Sequence, residues 1–435
     1  MKFRLLFLLL FFTSFIFAQS EIYYLKDSSG ALTYEQIGNE NFKLLEGQIL
    51  EKHSDDIYWF KIPAYNTDSK YIARILYERI NKGDVYQNGK RIEKLKNQRY
   101  LSYSFTREAD VYLRIDPKLH SYIPIDLDTE EASISKDKNQ LLFNGFYYGF
   151  ALLIVIYNLC YYFLFKDDAF LYYSLFLITM AFGVFTLDGM LNYMMVSENV
   201  NDVIMILNFI FLAYFSSKFV NSFLILDSHY PNLKKFSYLL GVLIIIFGIL
   251  YLILKDYYCF LLLNISVFTL LFVYWFSSVL LFKKTIYSRI LTFAYVIILF
   301  SGIDFYIFKS LGISLIDINP VTIKIGAFSE MIILSIAVLY RMKVLREENL
   351  HMKNEIFKFS KELEKRDSLK NKVDFLSLRE REIFDLIVLI KTNKEIANEL
   401  NVSVNTVKFH IKNIYEKLDI KSRKEVLSIA ESTIV

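Results

Sequence analysis

Seven long apolar stretches in the middle of this 435-residue chain constrain its fold more than any other feature, because lipid offers backbone polar groups no partners. They run roughly from Leu141 to Phe165, Ala169 to Leu191, Val203 to Leu224, Phe236 to Leu254, Tyr257 to Phe282, Ile290 to Phe308 and Val321 to Tyr340. Each approaches or exceeds the roughly 20 residues that a bilayer-crossing helix needs. The composition agrees, with 54% hydrophobic and 22% charged residues, against about 45–50% apolar in soluble domains. A purely cytosolic enzyme is excluded. The formal net charge of +4 implies no nucleic-acid partner by itself, so any basic surface must be local. Cys160 and Cys259 both fall in apolar stretches, which excludes a disulfide framework and reads them as packing residues. No metal or cofactor is expected.

Residues 1–18 carry Lys2 and Arg4, an apolar run from Leu5 to Phe17 and Ala18 at the boundary, the pattern of a secretory signal peptide. Residues 21–140 then form an exported domain. Its segments Ile57 to Ile62, Tyr71 to Ile80, Leu101 to Phe105 and Val111 to Ile115 alternate with period two, as strands with one buried face do. Asn88-Gly89 suits a two-residue type I′ hairpin turn, in which both central residues take positive φ. A β-sandwich is the expected fold. Trp59, Tyr86 and Tyr122 are core aromatics or a platform for an unknown extracytoplasmic ligand, a carbohydrate or a peptide. His53 and His120 have no partner at metal-ligand spacing.

With that domain outside, the inner loops hold Lys166, Lys218, Lys234, Lys235, Lys283, Lys284 and Arg289, and the outer loops hold Lys255 and Lys309. The positive-inside rule agrees. Seven crossings then place everything after Tyr340 in the cytoplasm, so a multi-pass membrane protein is expected, with the N-terminal domain outside and the C-terminal part inside. Four ionisable residues sit within the spans, where such groups are costly. Asp188, Asp304 and Lys324 lie near outer ends and either snorkel to the interface or converge in one outward-facing pocket. Glu330 lies near the middle of span seven and is a candidate buried pair or switch element. A retinal Schiff base on Lys324 is disfavoured, because Pro320 stands where an aspartate would be required.

The motifs Asn144-Gly145-Phe146-Tyr147-Tyr148-Gly149, Tyr157-Asn158-Leu159, Lys166-Asp167-Asp168, Tyr172 to Phe176 and Asp188-Gly189 resemble the bacterial seven-transmembrane receptors with diverse intracellular signalling modules. Tyr58-Trp59-Phe60 and Ser121 to Ile125 resemble the extracytoplasmic jelly-roll domain of that family. The resemblance covers residues 21 to 340 and implies a receptor of the bacterial cytoplasmic membrane whose output follows the last span.

Residues 341–374 contain no Gly or Pro and place Met342, Asn349, Ile356 and Leu363 at heptad position a and Leu345, Met352 and Phe359 at position d. This predicts a coiled-coil connector, with Asn349 as the polar a residue that fixes dimer register. No ATP-binding motif follows His351, which excludes histidine-kinase output. Residues 375–435 then form an all-α unit. Ser377 and Glu380 spell a capping box, Asn393 to Leu400 is a short helix, and Asn401-Val402 is a tight turn. Ser403 caps a further helix expected to bury Val404, Val407, Ile411, Ile414 and Leu418, leaving Asn405, Lys408, Phe409 and Lys412 on the opposite face. Between Ser403 and Lys424, Lys408, Lys412, Lys417, Lys421, Arg423 and Lys424 face only Glu416 and Asp419, a local basic patch on a helix-turn-helix.

Through Leu376-Ser377, Arg379-Glu380, Asn393 to Ala397, Leu400, Val402-Ser403, Thr406 to Lys408, His410, Ile414, Lys417-Leu418, Ser422-Arg423 and Ala430, this segment is similar to the four-helix LuxR-type DNA-binding domain. The resemblance implies base-edge contacts with double-stranded DNA from Lys408, Phe409 and Lys412. It implies phosphate contacts from Asn393, Lys394, Thr406 and Lys424, and a dimer surface on a last helix from Ser422 to Ser432. His410 touches phosphate or packs. Ile390, Asn401 and Asp419 stand where the family usually has Gly. The expectation is a membrane-anchored one-component sensor and transcription regulator, a homodimer through the coiled coil and the last helix, and not an enzyme. The rival is a receptor whose C-terminal part is a protein-interaction platform.

Overall fold

The computed structural model describes residues 21–427 apart from residues 66, 119, 121 and 317. The expected signal peptide and the end of the last helix therefore lie outside the described residues. The chain divides after Arg341 into two compact units.

The first unit opens with strands β1 (Tyr23–Asp27), β2 (Lys43–Leu44), β3 (Ile49–Leu50), β4 (Ile57–Ile62), β5 (Lys70–Ile75), β6 (Gly83–Gln87), β7 (Lys90–Ile92), β8 (Leu101–Thr106), β9 (Val111–Ile115), β10 (Tyr122–Ile123) and β11 (Ile125–Thr129). Six form an antiparallel sheet in the order β2-β1-β4-β9-β6-β7, three form the sheet β11-β5-β8, and β10 pairs with β3. Phe60, Ile62, Val85, Leu113 and Ile115 of the larger sheet share one core with Ala73, Ile75, Tyr103, Phe105 and Leu127 of the smaller, which makes the domain a β-sandwich. The β6–β7 hairpin turns through Asn88 at φ 49° and Gly89 at φ 74°, as a type I′ turn demands.

Two strand expectations are corrected. Strand β5 stops at Ile75 instead of Ile80, because Tyr77 to Ile80 form a turn closed by the Ile80 N–H on the Tyr77 carbonyl, at 3.2 Å. Strand β4 is buried on both faces, not one. Its second face is covered by helix α1 (Tyr34–Ile37), whose Ile37 packs with Trp59 and Tyr112. Trp59 and Tyr122 are thus core residues. Tyr86 is half-buried and stacks on Tyr34 with ring centroids 5.1 Å apart.

Thr129 ends β11 and also caps α2 (Glu130–Phe165), so the sandwich runs into span one without a linker and the helix begins well before the apolar stretch at Leu141. Helices α3 (Asp168–Leu187), α4 (Met190–Tyr193), α5 (Glu198–Leu224), α6 (Leu226–His229), α7 (Leu233–Leu254), α8 (Tyr257–Leu280), α9 (Ile286–Ile303) and α10 (Pro320–Asp374) follow. Among the described residues, seven helices are long and apolar enough to cross a membrane: α2, α3, α5, α7, α8, α9 with its continuation to Leu311, and α10. Helix α9 continues through a π turn (Asp304–Phe308) and a 3-10 turn (Lys309–Leu311). Helix α10 starts with Pro320 at its first position, where a missing N–H costs nothing. The Asn319 side chain accepts from Val321 N–H at 2.9 Å and Thr322 N–H at 3.0 Å.

The sandwich is pinned to one end of the bundle. Arg79, just beyond β5, donates to Asp202 at 2.9 Å and to Tyr251 OH at 2.7 Å, and lies over the Phe260 ring at 4.7 Å. Asn192 donates to the Glu78 carbonyl at 2.7 Å, and His53 stacks on Tyr257 with centroids 4.1 Å apart. The loops after α3, α7 and the 3-10 turn all lie at this end. At the far end of span seven, Arg341 is buried and donates to Asp167 at 2.5 Å and to the Ser222 carbonyl at 3.0 Å.

The second unit contains α11 (Leu378–Val388), α12 (Asn393–Glu399) and α13 (Val404–Leu418), and residues 423–427 are again helical. Its core joins Val373, Ile383, Phe384, Ile387, Ile396, Val407, Ile411, Ile414, Leu418 and Val426.

Candidate nucleic-acid interface

Helices α11, α12 and α13 are each entered through a side-chain cap. Ser377 N–H donates to Glu380 at 2.8 Å while Ser377 Oγ accepts from Glu380 N–H at 3.3 Å, which completes the expected capping box. Thr392 and Glu395 form a second box at α12, and Ser403 Oγ accepts from Thr406 N–H at 3.1 Å at α13. Helices α11, α12 and α13 are also left in the same way. Ile390, Asn401 and Asp419 take φ of 64°, 51° and 56°, the left-handed conformation that glycine adopts without strain. The bonds that follow belong to the Schellman motif: Lys391 N–H to Leu386 O at 3.2 Å, Val402 N–H to Ala397 O at 3.0 Å and Ile420 N–H to Tyr415 O at 2.9 Å. The three residues at usual glycine positions therefore keep the glycine geometry.

These turns set α12 and α13 around Ile396, Ala397, Val407 and Ile411. The outward face of α13 presents Asn405, Lys408, Phe409 and Lys412, all exposed. Phe409 is 61% exposed, a large apolar ring held in water beside two lysines, and such a ring can meet a thymine methyl in a major groove. Lys394 and Lys424 are exposed, and Thr406 is half-buried with its hydroxyl 2.7 Å from Ser403 Oγ. Val404 is exposed rather than buried, because the first residue of α13 lies ahead of the stripe that Val407, Ile411 and Ile414 bury.

Part of the basic patch is structural. Arg423 donates to Asn393 Oδ1 at 3.0 Å and to the Lys391 carbonyl, tying the last described helix to the start of α12. Lys417 donates to Glu380 at 2.6 Å and Arg379 to the Leu400 carbonyl at 2.9 Å. Burial alone raises the Glu380 carboxyl, but the Lys417 ammonium and the Ser377 cap outweigh it and hold the group at about 2. The sequence pattern gave no sign of these three tethers, since each spans 20 residues or more of chain. His410 Nδ1 is buried without a hydrogen-bond partner among the described residues.

In the membrane unit, the four ionisable candidates separate. Lys324 donates to Asp188 at 2.7 Å and to Asn144 at 2.5 Å, and both members of the ion pair are 0% exposed. Tyr148 donates to the other Asp188 oxygen at 2.5 Å. Arg99 of the sandwich reaches the Asp188 carbonyl at 3.4 Å and Asp137 at 2.5 Å. Asp188 and Lys324 therefore form a buried centre that joins spans one, two and seven to the sandwich. Asp304 stands apart and accepts from Leu315 N–H at 3.0 Å. Glu330 is fully buried, with neither carboxyl oxygen hydrogen-bonded among the described residues.

A β-sandwich set on seven membrane helices and followed by a helix-turn-helix unit defines a membrane receptor domain fused to a DNA-binding regulator domain. The chain belongs to the bacterial regulatory proteins of the luxR family, whose model matches residues 374–430. Residues 140–341 match the family described as 7TM diverse intracellular signalling, and residues 19–132 match 7TMR-DISM extracellular 2. The spore germination protein GerE of Bacillus subtilis is 50% identical over 52 residues, 12% of this chain and 70% of that protein. The transcriptional regulatory protein LiaR of the same organism is 52% identical over 50 residues, 12% of this chain and 24% of LiaR. The HTH-type transcriptional regulator MalT of Vibrio cholerae is 42% identical over 59 residues, 14% of this chain and 6% of MalT. The chain thus spans most of GerE but a quarter or less of the other two.

Proposed function

We propose that this protein is a membrane-anchored one-component sensor and transcription regulator, a binding protein and not an enzyme. A signal outside the cell or within the membrane biases the receptor unit. The connector then carries that bias, as a change in dimer geometry, to a cytoplasmic helix-turn-helix that binds double-stranded DNA. The observation that carries this reading is the outward face of α13, where Asn405, Lys408, Phe409 and Lys412 remain exposed while the opposite face is fully used by the core. Phosphate contacts fall to Lys394, Lys424, Thr406 and Asn393 in this scheme. Dimerisation is supported by α10, where Met352, Ile356, Phe359 and Leu363 are 52%, 69%, 64% and 44% exposed at heptad spacing, an apolar stripe that a second copy would bury. One helix-turn-helix reads few bases, so pairing two on adjacent half-sites makes spacing a control variable.

The test is a chromatin pull-down of tagged protein from fractionated membranes, with a Lys408→Ala, Lys412→Ala double variant alongside. Discrete sites recovered with the intact membrane protein and lost in the variant are expected. Sites recovered only with a shorter soluble fragment would replace anchored regulation with proteolytic release. Recovery of proteins without DNA would favour an interaction platform. In binding assays at fixed salt, Lys412→Ala should weaken the specific site by ~1–3 kcal/mol and relax base preference; unchanged preference refutes its base-reading role.

A further inference from the structure

Below the turn that follows β5, the bundle encloses a cavity of about 110 Å³, the order of size that accepts a single aromatic ring. Its walls are mainly apolar, with Val184, Phe209 and Phe268 among them, and the polar side chains at its wall include Glu78, Asn208 and Tyr295, whose hydroxyl has no hydrogen-bond partner among the described residues. One is Glu78, which the sandwich inserts as a roof. Glu78 is 6% exposed and its Oε2 has no partner among the described residues. Another is Asn208 of α5, 7% exposed, which lines the same cavity. Burying such groups unpaired costs on the order of 1–3 kcal/mol each, and native interiors keep few of them.

The fold holds this roof in place from outside the cavity. The Glu78 carbonyl accepts from Asn192 at 2.7 Å, and Arg79 next to it is anchored on Asp202 and Tyr251. The carboxyl is therefore aimed inward by bonds that do not involve it. Burial, opposed by the neighbouring Arg79 guanidinium, pushes that carboxyl up to about 8. Near neutral pH it is mostly the uncharged acid, with one O–H to give and one carbonyl to accept.

We propose that this cavity is a ligand site for a small lipophilic molecule of about one ring that carries a hydroxyl, the hydroxyl bonding Glu78 and the Asn208 carboxamide. A hydroxyl gives and accepts, so it complements an uncharged carboxyl and an amide together, and a bare hydrocarbon would bond neither. Ile323 of α10 also lines the cavity, one residue before Lys324. An occupant would touch the sandwich and five membrane helices at once, α3, α5, α8, α9 and α10, the last of which continues into the connector. The site would receive the signal required by the function proposed above, but it is testable by binding alone, so its failure leaves DNA binding untouched.

The experiment is fluorine NMR of 4-fluorobenzyl alcohol and 4-fluorotoluene titrated onto the full-length protein in lipid nanodiscs, with empty nanodiscs subtracted. Saturable alcohol binding about ten-fold tighter than that of the toluene is expected, from the hydrogen bonds gained. Val184→Phe, which fills the cavity, should abolish saturable binding, and Glu78→Leu should bring the two probes together. Absence of saturable binding to wild type, an equal affinity for both probes, or binding retained in Val184→Phe each overturns the proposal. The wild-type comparison needs no variant, so a misfolded variant cannot leave the question open.

Discussion

Ile390 is a β-branched residue in a conformation that such residues rarely occupy, and this makes it a quantitative test of the turn geometry. At φ 64° it closes the Schellman motif of α11, and a non-glycine residue there stores on the order of 1–3 kcal/mol. Ile390→Gly releases that strain. Against it stands the greater freedom of glycine in the unfolded chain, about 0.4–1 kcal/mol. The lost side-chain burial is small, roughly 0.5 kcal/mol, because Ile390 is 74% exposed and full burial would contribute only about 1.5–3 kcal/mol. Taking the middle of each range, the variant should be more stable by about 1 kcal/mol. The assay is urea unfolding of a fragment of residues 370–435, which contains the whole described core of the unit. With a slope of about 1 kcal/mol per molar, the midpoint should rise by about 1 M. Ile390→Ala keeps a Cβ in the left-handed region and should show little of this gain. Asn401→Gly should be close to neutral, because asparagine tolerates that conformation. A midpoint that falls in Ile390→Gly, or one that rises equally in Asn401→Gly, refutes the argument.

The same fragment should lose stability in acid through Glu380. Its carboxyl is held at about 2 when folded against 4.5 for the free group, so the contribution is complete above pH 4.5 and disappears as pH falls towards 2. Unscreened, the difference is worth about 3 kcal/mol; Lys417 is 45% exposed, so about 1–2 kcal/mol should remain. Unfolding curves of Glu380→Gln whose acid dependence matches the wild type would remove Glu380 from this role. In the full protein, Lys324→Met leaves Asp188 buried and uncompensated and should cost about 3–5 kcal/mol. Thermal unfolding in detergent measures this against Lys343→Met at an exposed site, and equal losses would contradict the buried pair. For the connector, Asn349→Leu should strengthen association of a peptide of residues 341–374 at the expense of a single register; ultracentrifugation that finds both forms monomeric removes the dimer's support.

What the sequence made legible is whatever the chain writes locally. The type I′ hairpin at Asn88-Gly89, the capping box at Ser377 and the seven apolar helices all rest on neighbouring residues, and all appear in the structure. Hydropathy sees only the part of a helix that lipid covers, so it placed the start of span one at Leu141 while the polar turns from Glu130 onward extend the same helix towards the sandwich. Alternation sees a strand but not what covers it. The second buried face of β4 comes from Ile37 of α1, a helix of one turn with no periodic signal of its own. The pair Asp188 and Lys324 is 136 residues apart in sequence, and each alone reads as a group near the membrane surface. Glu78 was missed for a related reason, since its burial arises only when the sandwich meets the bundle.

Arg341 gives the last span a property that its hydropathy does not express. The guanidinium is bonded to Asp167 and Ser222, which clasps the end of span seven to the start of α3 and to the end of α5. An α-helix turns about 100° for every 1.5 Å it advances, so a screw motion of span seven by a single residue would carry the guanidinium away from both partners. The clasp works as an index pin, and span seven turns within the bundle only when the pin is drawn.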